Sequence, residues 1–197
     1  ESIRARTVSS LEQPAQNTDQ FQQLHAMLQA HYPKAHAVLK RELVGELSLL
    51  YTWPGTDPAA QGVMLIARQD VVPIATGTEK DWSVDPFSGV VKDGVIWGRG
   101  AWDDKGNLVA QMEAIEMLAA AGFKPKRTIY LVAGADEEVG GHRGAKRIAA
   151  LLKERGVRLE FVIDEGMVIA DGMIPGLDKP VAIVGVAEKG RMSVVLR

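Results

Sequence analysis

Thr128-Ile129-Tyr130-Leu131-Val132-Ala133 is an uncharged, largely aliphatic run, and Gly134-Ala135-Asp136-Glu137-Glu138-Val139-Gly140-Gly141 follows it directly. A run this continuous suits a strand buried on both faces. The acidic cluster then falls where that strand should end. Working outward, the same figure recurs. Val63–Ala67 is followed by Asp70, Leu159–Ile163 by Asp164 and Glu165, and Val181–Val186 is a fourth apolar run. Between the runs lie helical spacings. Leu108, Met112, Ile115 and Ala119 share one face, with Gly122 at the expected C-terminus. Ala145, Ile148, Ala149 and Leu152 repeat the pattern before Gly156. Further upstream, Asp19 opens a helix whose inner face is Phe21, Leu24 and Leu28, and residues 43–53 read as one strand ended by Pro54-Gly55. Strand–helix–strand alternation predicts an α/β fold, a three-layer sandwich around a central mixed, largely parallel sheet.

Composition narrows the function classes. At 197 residues, 46% apolar and 24% charged, the chain has the balance of one globular domain. A formal net charge of −2 gives no electrostatic reason for nucleic acid as a partner. No apolar run approaches the roughly 18 residues of a membrane span. Without cysteine, disulfides and thiolate metal sites are excluded. That fits a reducing compartment and an exported protein equally, so localisation is unknown. The chain opens on Glu1 with no initiator Met and closes on the alternating run Met192–Leu196, so both ends read as cut.

In α/β sheets, ligands bind outside the carboxyl ends of the strands. Asp70, the Asp136–Glu138 cluster and the Asp164-Glu165 pair fall at three such ends, and Asp103-Asp104 lies between Gly100 and a helix start. Taken singly, each has a plain reading. An Asp-Glu-Glu run is usually a solvated loop, and Asp104 reads as a helix N-cap. Taken together they predict convergence. Clustered carboxylates repel and are tolerated mainly beside a cation, and an oxygen-rich cage without cysteine suits zinc, manganese or cobalt.

The longer motifs are Asp70-Val71-Val72-Pro73, Trp82 with Asp85-Pro86-Phe87-Ser88-Gly89, and Ile96-Trp97-Gly98-Arg99-Gly100-Ala101-Trp102-Asp103-Asp104-Lys105-Gly106. Asp136–Gly141, Val162-Ile163-Asp164-Glu165-Gly166 and the segment from Pro180 to Gly190 follow. In this order and spacing the chain resembles the aminoacylase and carboxypeptidase S family of dizinc metallopeptidases, nearest the carboxypeptidase S branch. The resemblance implies two zinc ions bridged by Asp103, with Glu138 on one and Asp164 (or Glu165) on the other. It implies Glu137 as general base and Asp70 as the residue orienting a histidine ligand two positions before it. In an extended segment adjacent Glu137 and Glu138 would face opposite ways, so dividing these tasks at one site requires a turn, which Gly140-Gly141 can help supply. It further implies a catalytic domain over 1–190, with 191–197 leading into a lid that would carry homodimer contacts and part of the substrate site.

One position departs from the pattern. Where the family has His-x-Asp, this chain has Arg68-Gln69-Asp70. Guanidinium has no lone pair to donate and stays charged. The histidines, at 25, 31, 36 and 142, stand at neither ligand position, and His142 reads as a surface residue. Zinc binding by this chain is therefore expected to be weak or absent, with Arg68 pairing instead with Asp70 or Asp103. The expected function is metal-dependent hydrolysis of amide bonds in peptides or N-acyl amino acids, with this chain itself inactive. The alternative is a degenerate relative that binds or regulates without chemistry.

Overall fold

Both faces of the central strands are apolar, and the fold follows from how those faces are covered. The structure, a computed structural model, describes residues 1–166, 168–187 and 194. The first of two compact units, Glu1–Asp164, contains α1 (Thr18–His31), α2 (Pro33–Val38), β1 (Lys40–Val44), β2 (Ser48–Trp53) and β3 (Gly62–Arg68). It continues through β4 (Val91–Lys92), β5 (Val95–Ile96), α3 (Lys105–Ala120), β6 (Ile129–Gly134), α4 (Ala145–Glu154) and β7 (Leu159–Ile163). The main sheet has the order β1-β2-β6-β3-β7. It is parallel through β6, β3 and β7 and antiparallel where β2 meets β6 and β1.

Period-two alternation divides the strand residues between two helical layers. Leu49, Tyr51, Trp53, Leu131, Ala133 and Ala67 face Leu24 and Leu28 of α1, Ala35 of α2, and Leu108, Met112 and Ile115 of α3. The intervening Leu50, Met64 and Val132 face Ile148 and Leu152 of α4. Each large aliphatic side chain so buried contributes about 2 kcal/mol relative to exposure. The helical faces read from sequence are thus the faces that close the sandwich.

Three expectations are corrected. Residues 43–53 form a hairpin, because Gly45 and Glu46 take positive φ of 61° and 79° and turn the chain between β1 and β2. Gly45 is required there: a Cβ would sit 1.7 Å from the Arg143 carbonyl oxygen. The Leu159–Ile163 run is not buried on both faces. It is the outermost strand, and Phe161, Val162 and Ile163 are about half exposed among the described residues. The Val181–Val186 run does not join the main sheet. In the second unit, Glu165–Arg197, Val181–Ala182 (β9) pairs antiparallel with Ile169–Ala170 (β8). The strand expected over 192–196 lies outside the described residues, Val194 excepted.

Candidate functional site

β3 pairs in parallel with β6 up to Arg68 opposite Gly134, so both strands deliver their following residues to the same end of the sheet. Alternation then sends Arg68 and Asp70 one way and Gln69 the other. Gln69 is fully buried. Its amide donates to the carbonyls of Ala133 (2.7 Å) and Leu47 (3.1 Å), and its Oε1 accepts from His25 Nε2 at 2.6 Å. Burial holds the His25 pKa below its usual value, against the raising effect of that hydrogen bond.

Asp70 is fully buried as well. Its Oδ2 accepts from Ser9 Oγ (2.7 Å) and from the backbone N–H of Glu138 (3.0 Å). Its Oδ1 is buried and has no hydrogen-bond partner among the described residues. Burial raises the Asp70 pKa, with those donors acting in the opposite direction. The residue expected to orient a histidine thus also anchors the backbone that carries Glu138.

After β6 the chain enters a single 3-10 turn, Glu137–Val139, closed by Gly140 at φ 100°. This is the turn that the adjacent glutamates require. Asp136, immediately before it, is buried and belongs to the framework. Its two oxygens accept the backbone N–H groups of Gly144 (2.9 Å) and Arg143 (2.7 Å), pinning the loop that enters α4. Gly144 must be glycine, since a Cβ would lie 2.3 Å from Ser48 Oγ and 2.7 Å from Asp136 Oδ1. Burial pushes the Glu138 carboxyl up to about 7, partly opposed by the positive charge of Arg68.

The third contributor is the loop before α3. Gly100, at φ 83°, packs where a Cβ would meet Val71 Cγ1 at 2.8 Å. Asp103 is exposed and Asp104 buried. Asp104 occupies the N-cap position of α3 without making the expected capping hydrogen bond. Its Oδ2 accepts the backbone N–H of Arg68 at 3.1 Å instead, and burial pushes its pKa up to about 6. Lys105 is buried with its Nζ donating to the carbonyls of Ala5 (2.6 Å) and Ser2 (3.1 Å), and burial lowers it to about 8. Lys105 lies inside the Ile96–Gly106 motif, and nothing in its sequence context signals this role. Ser9, held near Asp70 by the Thr7–Val71 contact, carried no signal.

The Arg68 guanidinium joins these parts. It donates from one terminal nitrogen to Asp103 Oδ1 and from the other to Glu137 Oε2. Its side chain is 7% exposed, against 53% for Asp103 and 45% for Glu137. Of the two alternatives expected, Asp70 or Asp103, it is Asp103 that pairs with Arg68, and Glu137 is a further partner. Asp164 follows the last β7 pairing, Ile163 with Leu65, which stops three residues before Arg68 on β3. His142 is exposed, its Nδ1 facing Lys146 Nζ at 3.0 Å.

A divalent metal needs lone pairs from several of these groups at once. Here a guanidinium, which can only donate hydrogen bonds, occupies oxygens of Asp103 and Glu137, and no histidine reaches the cluster. Among the described residues, no group of three or more His, Asp or Glu side chains is assembled to hold a metal ion. The residues present do not fit a two-metal centre.

Known proteins resemble this chain closely. It is 45% identical over 161 residues to the mouse (Mus musculus) N-fatty-acyl-amino acid synthase/hydrolase PM20D1, covering 82% of this chain and 31% of that protein. It is 44% identical over 160 residues to carboxypeptidase S of Saccharomyces cerevisiae, covering 78% of this chain and 28% of that one. The chain therefore spans about a third of the length of these relatives or less. The crystal structure of human carnosine dipeptidase 1 shares the fold, with a TM-score of 0.66 at 20% identity over 86% of this chain and 38% of that one. The sequence model of peptidase family M20/M25/M40 matches residues 64–189, a stretch that holds Arg68, Asp70, Asp103, Glu137, Glu138 and Asp164, and this chain belongs to that family.

Proposed function

We propose that the protein is a hydrolase of amide bonds, acting on N-acyl amino acids or on the C-terminal residue of peptides, and that Arg68 holds the site in an inactive form in this chain. The two substrate types share one chemical figure, an amide nitrogen on a carbon that bears a free carboxylate. The relatives' names, a fatty-acyl-amino acid hydrolase and a carboxypeptidase, both fall within it. Glu137 serves as general base, collecting a proton from the attacking water and returning it to the leaving amine. Asp70 sets its geometry by fixing the backbone of Glu138. Asp103, Glu138 and Asp164 are the carboxylates that would hold zinc, or manganese or cobalt, in a version of the site with histidine at position 68.

The observation that carries this reading is the orphaned, buried Oδ1 of Asp70. A buried carboxylate oxygen without a donor is costly. It is the residue left behind when a histidine partner at 68 is exchanged for arginine. The test is Arg68→His in the full-length protein, assayed with zinc on N-acyl amino acids and peptides. A rise in kcat/KM of roughly 100-fold or more is expected, the scale of recovering a general base. Continued inertness with metal bound would favour the second reading, a protein that binds in the cleft without chemistry. The engagement of Glu137 by the guanidinium speaks for that reading.

A further inference from the structure

We infer that the Arg68 guanidinium is the resident cation of this carboxylate site. It and a divalent metal are mutually exclusive occupants, so uptake of metal at these carboxylates requires that position 68 not be arginine. The inference does not depend on amide hydrolysis.

The argument begins with charge. Asp103 and Glu137 come from sequence-distant loops and would repel each other without an intervening cation. The guanidinium spans them, one terminal nitrogen to each carboxylate. Arg68 is itself buried at the end of a central strand, so its charge needs those anions as much as they need it. A metal entering the cluster would have to take the Asp103 oxygen that the guanidinium now holds. It would then leave a buried guanidinium beside a divalent cation. The tether makes the contest unequal, because an attached cation acts at high effective concentration whereas free metal must be supplied.

The backbone around the guanidinium is fixed independently of it. Arg68 N–H is held by Asp104, and Glu138 N–H by Asp70. Asp70 adds a second mark of a site built for another occupant, a fully buried carboxylate with one oxygen lacking a donor among the described residues. Removing the guanidinium therefore leaves the backbone of Arg68 and Glu138 held and the carboxylates without their neutralising cation. Oxygen-rich clusters of that kind take manganese and zinc.

The experiment titrates zinc and manganese into the dialysed 197-residue chain and into its Arg68→Ala and Arg68→His variants, by calorimetry and by thermal unfolding. The unaltered chain should give neither saturable heat nor a metal-dependent rise in Tm. Arg68→Ala should bind at least roughly 100-fold more tightly, and Arg68→His more tightly still because imidazole adds a donor. Guanidinium ion at non-denaturing concentration should compete with metal in Arg68→Ala, a signature that simple loosening of the fold would not produce. Should Arg68→Ala unfold without metal, recovery of cooperative unfolding on adding zinc or manganese supports the inference, and failure to recover overturns it. Metal binding by the unaltered chain as tight as in Arg68→Ala also overturns it. So does a folded Arg68→Ala that gains no affinity, or one whose affinity ignores guanidinium. A full-length Arg68→His protein that binds metal yet hydrolyses nothing would leave this inference standing and remove the hydrolase reading.

Discussion

Asp136 and Glu137 are neighbours in sequence and opposites in environment. Asp136 is buried, and both its oxygens accept backbone N–H groups from the loop entering α4. Glu137 is about half exposed, and a guanidinium neutralises it from across the sheet end. The same split separates Asp70 and Asp104 from Asp103. The first two are buried and each accepts a backbone N–H, while the third is exposed and held by charge. The site thus has two tiers. A lower tier of carboxylates fixes loops and builds the frame. An upper tier carries no framework hydrogen bonds of that kind, which leaves its oxygens available to whatever cation is present.

The sharpest way to break this comparison is to strike the two tiers separately. Asp136→Ala should cost about 3–5 kcal/mol in a denaturant titration, because it strips two charge-assisted bonds from buried backbone donors. A loss below about 1 kcal/mol would mean the lower tier is not framework.

A smaller effect probes the layer beneath it. His25 donates to Gln69, the residue between Arg68 and Asp70, and burial holds its pKa below the unfolded value of 6.5. The unfolded chain then binds the proton more readily than the folded one. His25 should therefore add no penalty above about pH 7 and should lower stability as pH falls below 6.5. Thermal unfolding between pH 7.5 and 5 should show that slope in the unaltered chain and a shallower one in His25→Gln. Equal slopes would remove His25 from the account.

The smallest change is expected in the upper tier. Asp103→Asn should alter stability by no more than about 1 kcal/mol, since the carboxylate is half exposed and Glu137 still neutralises Arg68. A loss approaching that of Asp136→Ala would collapse the two tiers into one.

Much of this molecule was legible from sequence where the signal was local and periodic. The uncharged runs became β3 and β6, and the helical spacings became α3 and α4, because a side chain's face is set by the backbone period alone. The reading weakened where a neighbour distant in sequence decided the outcome. The strand expected over 43–53 broke at Gly45, whose need for glycine comes from Arg143 about a hundred residues away. The Leu159–Ile163 run looks like its central counterparts, yet its exposure follows from its place in the strand order. Asp104 has the sequence of a cap and spends its carboxylate on the Arg68 backbone.

What the sequence determined by itself is that acidic residues collect at the carboxyl ends of an α/β sheet, and that arginine stands where a histidine belongs. Chain period and residue chemistry suffice for the first, and the second is what the family resemblance implies. Only the tertiary structure decided which acids are frame and which meet the cation. Asp136 and Glu137 are chemically near-equivalent neighbours, and what separates them is the donor each meets across the fold: backbone N–H for one, the Arg68 guanidinium for the other.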